Sequence, residues 1–156
     1  MSDLYRGKGM SSALSYQDPK AAVRWLEKVL GFESLFVILD ADDNLVHGEM
    51  TYGDSLIMIG TEWTEDHRSP ISINGKNSQS VHVQLARGDD IDAHCAHARA
   101  AGATILAEPE TQFYGERSYR LKDLEGHIWS ISVTVQEMTP EQWDKASGLT
   151  TRKRLD

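Results

Sequence analysis

The sequence predicts an α+β fold built from two tandem βαβββ modules. The order strand, helix and three strands occurs twice along its 156 residues, with turn residues between the segments. An offset of 71 residues pairs Leu14 with Leu85. Near the module ends, an offset of 72 pairs Ile57 with Trp129. Because a long internal repeat marks a repeated structural unit, we expect a single domain over residues 1–156 with two similar halves.

The first module is expected at about residues 10–60. Asp18 suits the N-cap of a helix over 18–31, Pro19 suits its first position, and Gly31 suits its C-terminal end. Strands are expected at residues 10–16, 32–40, 45–52 and 55–60. The polar stretch 61–78 then links the modules.

The second module, at about residues 79–133, follows the same order. Asp89 is expected to cap a helix that ends near Gly102. After the module, Thr139 and Pro140 suit the start of a short C-terminal helix at about 139–147. The strands of the module are expected at residues 79–86, 104–108, 117–122 and 127–133, and the turn 123–126 joins the last two as a hairpin.

The composition limits the partners and the compartment. The net charge of −8 argues against binding to nucleic acid or to an anionic membrane, because both require basic patches. No apolar run has the length needed to span a bilayer, and the first residues lack the apolar core of a signal sequence. Cys95 is the single cysteine, which excludes an internal disulfide. Together these features predict a cytoplasmic protein.

The closing hairpin carries a pattern typical of a strand with one buried and one polar face. Trp129 is expected on the apolar side of its second strand, while Ser130 and Ser132 point to the other side. In the first strand Arg117 and Tyr119 share one face. They could hold an anionic or aromatic ligand, and cross-strand pairing explains them equally well.

Three segments resemble the vicinal oxygen chelate superfamily, which contains glyoxalases, bleomycin resistance proteins and dioxygenases. They are Trp-Leu-Glu-Lys-Val-Leu-Gly-Phe-Glu at 25–33, His-Gly-Glu-Met-Thr-Tyr-Gly-Asp at 47–54, and Asp-x-x-Gly-His-x-Trp at 123–129. The first two, with the Thr-Pro-Glu-Gln-Trp tail, look like its PhnB-like branch. The resemblance covers about residues 10–133. It implies a glyoxalase-like curved mixed sheet around a concave cleft, often at a homodimer interface.

The resemblance also implies four positions for metal ligands, on the first and last strand of each module. By the internal register these positions are Ser11, Met58, His82 and Ser130. Only His82 binds a divalent ion well, whereas a catalytic site needs about three protein ligands. We therefore expect neither a metal nor another cofactor.

Other candidate residues each have a structural explanation as well. His94 and His97 stand one helical turn apart and could bind a metal, or they could form a solvated helix face. His47 and Glu49 share a strand face and could join His82 in an improvised metal site. Cys95 is expected to be a buried small apolar residue rather than a nucleophile.

The leading interpretation is a metal-free homodimer that binds or sequesters a small organic molecule in its cleft. A rival interpretation is a metal-dependent lyase, isomerase or dioxygenase with an atypical ligand set of His82, His47 and Glu49. A third is an interaction module whose cleft is filled by a partner chain, and the sequence leaves these alternatives open. The residues expected to line the cleft are His47, Glu49, His82, Arg117, Tyr119 and Ser130.

Overall fold

The computed structural model describes residues 9–155. The first module comprises β1 (Ser12–Tyr16), α1 (Pro19–Trp25), β2 (Glu33–Leu39), β3 (Leu45–Tyr52) and β4 (Ser55–Thr61). The second comprises β5 (Val81–Gln84), α2 (Ile91–Ala100), β6 (Thr104–Thr111), β7 (Glu116–Lys122) and β8 (Ile128–Thr134), and α3 (Pro140–Ser147) follows it. A π-helical segment at Leu26–Leu30 continues α1, and a 3-10 turn at Pro70–Ile73 lies between the modules.

Each module forms one four-stranded mixed sheet. The strand order is β1-β4-β3-β2 in the first sheet and β5-β8-β7-β6 in the second. In each module the first strand runs parallel to the last, and the other neighbours are antiparallel. This arrangement confirms the predicted α+β fold of two βαβββ modules with a short C-terminal helix. No helix within residues 9–155 is long and apolar enough to cross a membrane.

The two modules share one hydrophobic core, which the helix-facing sides of both sheets build. Apolar side chains of both modules belong to one buried cluster, with Met50 and Ile59 from the first sheet and Trp129 from the second. The Phe32 ring meets the Trp129 indole edge-on, with centroids 5.6 Å apart. The side of each sheet that faces the helices, which we call the covered face, is thus buried in this core. The opposite side of each sheet, which we call the open face, points away from the core.

The strand pairing corrects the register of the internal repeat. Leu14 pairs with Ile59 in the first sheet, and Val83 holds the equivalent place beside Ile131 in the second. The structural counterpart of Leu14 is therefore Val83 and not Leu85. The sequence offset was misleading because the connection from β5 to α2 is longer than the one from β1 to α1.

The longer connection also moves the cap of α2. Asp90, and not Asp89, is the N-cap: its carboxylate accepts from the backbone N–H of Ala93 at 3.0 Å. Asp89 instead accepts from the N–H of Ala86 at 3.0 Å and closes the turn before the helix. A helix N-terminus leaves backbone donors without partners, and either carboxylate could have supplied the acceptor on sequence grounds.

The turn between β7 and β8 is held by the buried carboxylate of Asp123. One oxygen accepts from the backbone N–H groups of Glu125 and His127, both at 3.0 Å. The other accepts from the Tyr16 hydroxyl at 2.7 Å and from the Trp129 indole at 3.1 Å. Since Tyr16 belongs to the first module, this carboxylate connects the two halves of the chain.

Glu125 makes a second connection between the modules. Its carboxylate accepts from the backbone N–H groups of Gln17 at 2.7 Å and Asp18 at 2.9 Å, where α1 begins. It also accepts from the buried Ser69 hydroxyl at 2.6 Å. The turn of the closing hairpin therefore fixes both the start of the first helix and the segment between the modules.

Candidate functional site

The second sheet has a covered face and an open face, which alternate residue by residue. Leu121 and Trp129 pair across β7 and β8 on the covered face, and both are fully buried. On the next row His82 pairs with Ser130, and Ser130 pairs with Arg120. Because successive side chains of a strand point to opposite faces, these three residues lie side by side on the open face.

A cavity of about 540 Å³ lies over this row. Its polar lining includes His82, Arg120 and Ser130, and the segment 77–80 closes one side. Leu106, Ala107 and Ile128 supply apolar walls. Small-molecule sites combine apolar walls with convergent polar groups, and the lining of this cavity is more polar than is usual for them. We call this cavity the cleft.

A chain of hydrogen bonds orients His82. The Glu116 carboxylate accepts from the Thr134 hydroxyl at 2.6 Å and from the Gln84 amide nitrogen at 3.0 Å. The amide oxygen of Gln84 is then the atom that faces His82 Nε2, at 3.1 Å. An amide oxygen only accepts, so Nε2 carries the hydrogen and Nδ1 of the neutral ring is left as an acceptor.

Arg117 and Tyr119 lie on the covered face of the sheet, so the structure does not bring them to the cleft. Arg117 forms two hydrogen bonds with the Asp92 carboxylate of α2, at 2.9 and 2.7 Å. Tyr119 is buried and bonds His94 Nδ1 at 2.7 Å. Burial raises the pKa of Tyr119 and lowers the pKa of His94, so at neutral pH the phenol donates to a neutral imidazole.

Arg120 is the cleft residue that the sequence analysis missed. It directly follows Tyr119 and therefore points to the opposite face. The available signal was the alternation within β7: Tyr119 and Leu121 are apolar and share one face, whereas Ser118, Arg120 and Lys122 are polar and share the other. This alternation places Arg120, and not Arg117, on the face that borders the cavity.

His47 and Glu49 lie on the open face of the first sheet. His47 Nε2 is 3.4 Å from Glu49 Oε1, and the Phe36 ring lies 6.0 Å from the imidazole. His82 borders the cleft and a second cavity of about 500 Å³ between β5 and the Tyr52–Ile57 hairpin. Neither cavity is lined by His47 or Glu49. The structure therefore does not unite the three residues in either of these cavities.

Known proteins share this architecture. The family model described as Glyoxalase/Bleomycin resistance protein/Dioxygenase superfamily matches residues 11–131. The chain belongs to this superfamily. Members of the superfamily bind small molecules and often form dimers.

The chain is also similar to individual proteins, two of which have solved structures. TioX from Micromonospora sp. ML1 is 30% identical, with a TM-score of 0.63, over 85% of this chain and 100% of TioX. The fosfomycin resistance protein FosX from Listeria monocytogenes is 14% identical, with a TM-score of 0.61, over 88% of this chain and 98% of FosX. An uncharacterized protein of Mycobacterium tuberculosis (strain H37Rv) is 24% identical over 137 residues, which cover 85% of this chain and 78% of the relative.

The residues at the metal-binding positions expected from the resemblance do not fit a divalent ion. Met58 pairs with Ala13 as Ser130 pairs with His82, so Ala13 and not Ser11 is the counterpart of His82. Alanine has no donor atom, and a serine hydroxyl and a thioether are poor substitutes for imidazole and carboxylate. His82 Nε2 is also engaged by Gln84. Within residues 9–155 no group of three His, Cys, Asp or Glu side chains could hold a metal ion.

The remaining candidate residues have structural partners. His94 bonds Tyr119, and His97 Nε2 donates to the backbone carbonyl of Lys28 at 2.9 Å, which ties α2 to the first module. Cys95 is buried, and burial raises the pKa of its thiol. A thiol with a raised pKa is a weak nucleophile, so Cys95 serves in packing.

Proposed function

We propose that this superfamily member binds a small anionic organic molecule in the cleft, without a metal and without rapid turnover. The observation that supports the proposal is Arg120, which borders the cleft and whose side chain has no ion pair or hydrogen-bond partner within residues 9–155. A guanidinium offers a fork of N–H donors that matches a carboxylate or phosphate. Beside it, His82 presents an acceptor nitrogen and Ser130 a hydroxyl. A ligand with an anionic group and a neighbouring hydrogen-bond donor fits this set.

The cleft is open on one side, and we propose that a second copy of the chain covers it. The covered faces of both sheets are buried in the core of the chain. Apolar side chains of β2 and β3 stay exposed to solvent, including Ile38 with 51% of its surface accessible and Val46 with 50%. Exposed apolar strands of this kind mark interaction surfaces in soluble proteins. The superfamily description includes bleomycin resistance proteins, which agrees with binding or sequestration. The PhnB-like branch is the proposed subgroup.

A ligand screen by thermal shift tests the cleft. A ligand at a hundredfold excess over its dissociation constant should stabilise the protein by about 3 kcal/mol. Arg120→Ala should weaken its affinity by about tenfold or more, because a hydrogen-bonded charge is lost, and His82→Ala should also weaken it. Arg117→Ala is the matched control: it removes the same group from the same strand on the opposite face. If Arg117→Ala and Arg120→Ala weakened binding equally, the ligand would not be in the cleft.

Metal analysis separates this proposal from the metal-dependent enzyme. The enzyme alternative draws on His47 and Glu49, which approach within 3.4 Å. Protein purified without a chelator should contain no stoichiometric zinc, nickel or iron. Stoichiometric metal that is released by His82→Ala would contradict the proposal and favour a lyase, isomerase or dioxygenase.

A further inference from the structure

A further, smaller cavity lies between β1 and the segment that joins the modules. Its volume is about 160 Å³. Ala13 and Ser15 form one wall, and residues 66–68 and 76–79 form the others. This volume is well below the roughly 300–1,000 Å³ typical of sites for drug-sized ligands. It has room for one tetrahedral ion and its hydration water.

The walls of this cavity are firmly attached to the core. Ser69, which follows Arg68, is fully buried. Its hydroxyl donates to the Glu125 carboxylate, and its backbone N–H donates to the Glu62 carboxylate at 2.8 Å. At the other end, Asn77 donates to the Gly126 carbonyl at 2.9 Å and accepts from the Ile128 N–H at 3.2 Å. A long connection that is held in this way is more typical of a binding loop than of a passive linker.

The lining of the cavity is basic, although the protein is acidic. Arg68 and Lys76 face it together with one carboxylate, Asp66, and the imidazoles of His67 and His127, while the whole chain carries a net charge of −8 with its histidines neutral. A local excess of positive charge on an acidic protein raises the local concentration of small anions.

The basic side chains keep donors available. Lys76 has no ion pair within the described part of the chain. Arg68 Nε lies 3.5 Å from the Glu62 carboxylate, so the two terminal nitrogens of the Arg68 guanidinium remain available to donate to an anion. His127 Nε2 donates to the Ser15 carbonyl at 2.8 Å, so Nδ1 carries no hydrogen in the neutral ring and gains one when the ring is protonated.

We propose that this cavity binds a small tetrahedral oxyanion through Arg68 and Lys76, as a free phosphate or as the terminal phosphate of an organic phosphate ester. An arginine fork and a lysine point charge are the usual protein groups for a phosphoryl oxygen. The site is separate from the cleft, although the two cavities share the wall 77–79. It does not depend on the function proposed for the cleft.

Titration of the whole 156-residue chain, followed by NMR at constant chloride, tests the site. Inorganic phosphate and glycerol phosphate are the two probes. At least one probe should give saturable chemical-shift changes at Lys76, Arg68 and His127. The probe with the lower dissociation constant shows whether the site prefers the free ion or the ester. Lys76→Ala and Arg68→Ala should each weaken binding by about tenfold or more, because each removes a charged hydrogen-bond donor. Both side chains are exposed, so the variants should fold.

Lys145→Ala is the matched control, because it removes one positive charge from an exposed position on α3 that does not line the cavity. It should change the affinity by less than about twofold. The proposal is wrong if neither probe saturates, or if Lys145→Ala weakens binding as much as Lys76→Ala does. It is also wrong if Arg120→Ala abolishes binding, because the anion would then lie in the cleft.

Discussion

Replacement of Asp123 should destabilise the protein strongly, because one buried carboxylate serves four donors. In Asp123→Ala the Tyr16 hydroxyl and the Trp129 indole, both fully buried, lose their acceptor. An unsatisfied buried donor costs about 1–3 kcal/mol. Two such donors give an expected loss of about 4 kcal/mol in the free energy of unfolding, before the two backbone N–H groups of the turn are counted.

Two milder variants of the same network should lower the free energy of unfolding by less than the alanine variant does. In Asp123→Asn the amide oxygen can still serve the two backbone donors, and the Tyr16 hydroxyl can rotate to accept from the amide nitrogen. The Trp129 N–H then faces a donor, which should cost about 2 kcal/mol. Tyr16→Phe removes one donor and leaves the carboxylate three, so it should cost about 1 kcal/mol.

Urea denaturation at one fixed protein concentration measures the series, because association would make the apparent stability depend on concentration. Asp42→Ala is the control: its carboxylate is exposed in the turn before β3, and it should change stability by less than about 0.5 kcal/mol. If Asp123→Ala lowered the free energy of unfolding no more than Tyr16→Phe, the Asp123 carboxylate would not serve the buried donors as described. A neutral Asp123→Asn would contradict the same assignment.

Three further predictions follow from other parts of the molecule. Light scattering at micromolar concentration should give the mass of a homodimer, and a monomer mass would contradict the proposed closure of the cleft. Gly115→Ala should lower the free energy of unfolding by at least about 2 kcal/mol more than Gly53→Ala does, as measured by urea denaturation. Both glycines have a positive φ, but of the two only Gly115 would bring a Cβ to within 2.0 Å of a backbone oxygen, that of Gln136. Burial, with a smaller effect of His97, lowers the pKa of His94, so as the pH falls the unfolded chain binds a proton before the folded protein does. The stability from neutral His94 should therefore be complete above about pH 6.5 and decline below it. Urea denaturation of His94→Gln should show a weaker decline in stability between pH 7 and 5.

Local signals in the sequence determined the order and type of the elements. The caps at Asp18 and Thr139, the helix end at Gly31 and the alternation around Trp129 act over a few residues, so they can be recognised without the partner strand. The prediction of two βαβββ modules therefore succeeded. The cap of α2 was misplaced because two adjacent aspartates, Asp89 and Asp90, satisfied the same local criterion.

The face of each side chain in the candidate site depended on strand pairing. Arg117 and Arg120 point to opposite faces of one strand. The alternation of Tyr119 and Leu121 with polar residues favours Arg120 on the polar face, but the segment does not show which residue of the neighbouring strand each arginine meets. The sequence determined that the last strand has a polar face, and it predicted poor metal ligands at three of the four expected positions, with His82 as the exception. Only the tertiary structure decided that Arg120 lies in the cleft while Arg117 binds Asp92 on α2. The physical reason is that a shift of one residue in pairing exchanges the two faces of a strand, and long-range packing sets that register.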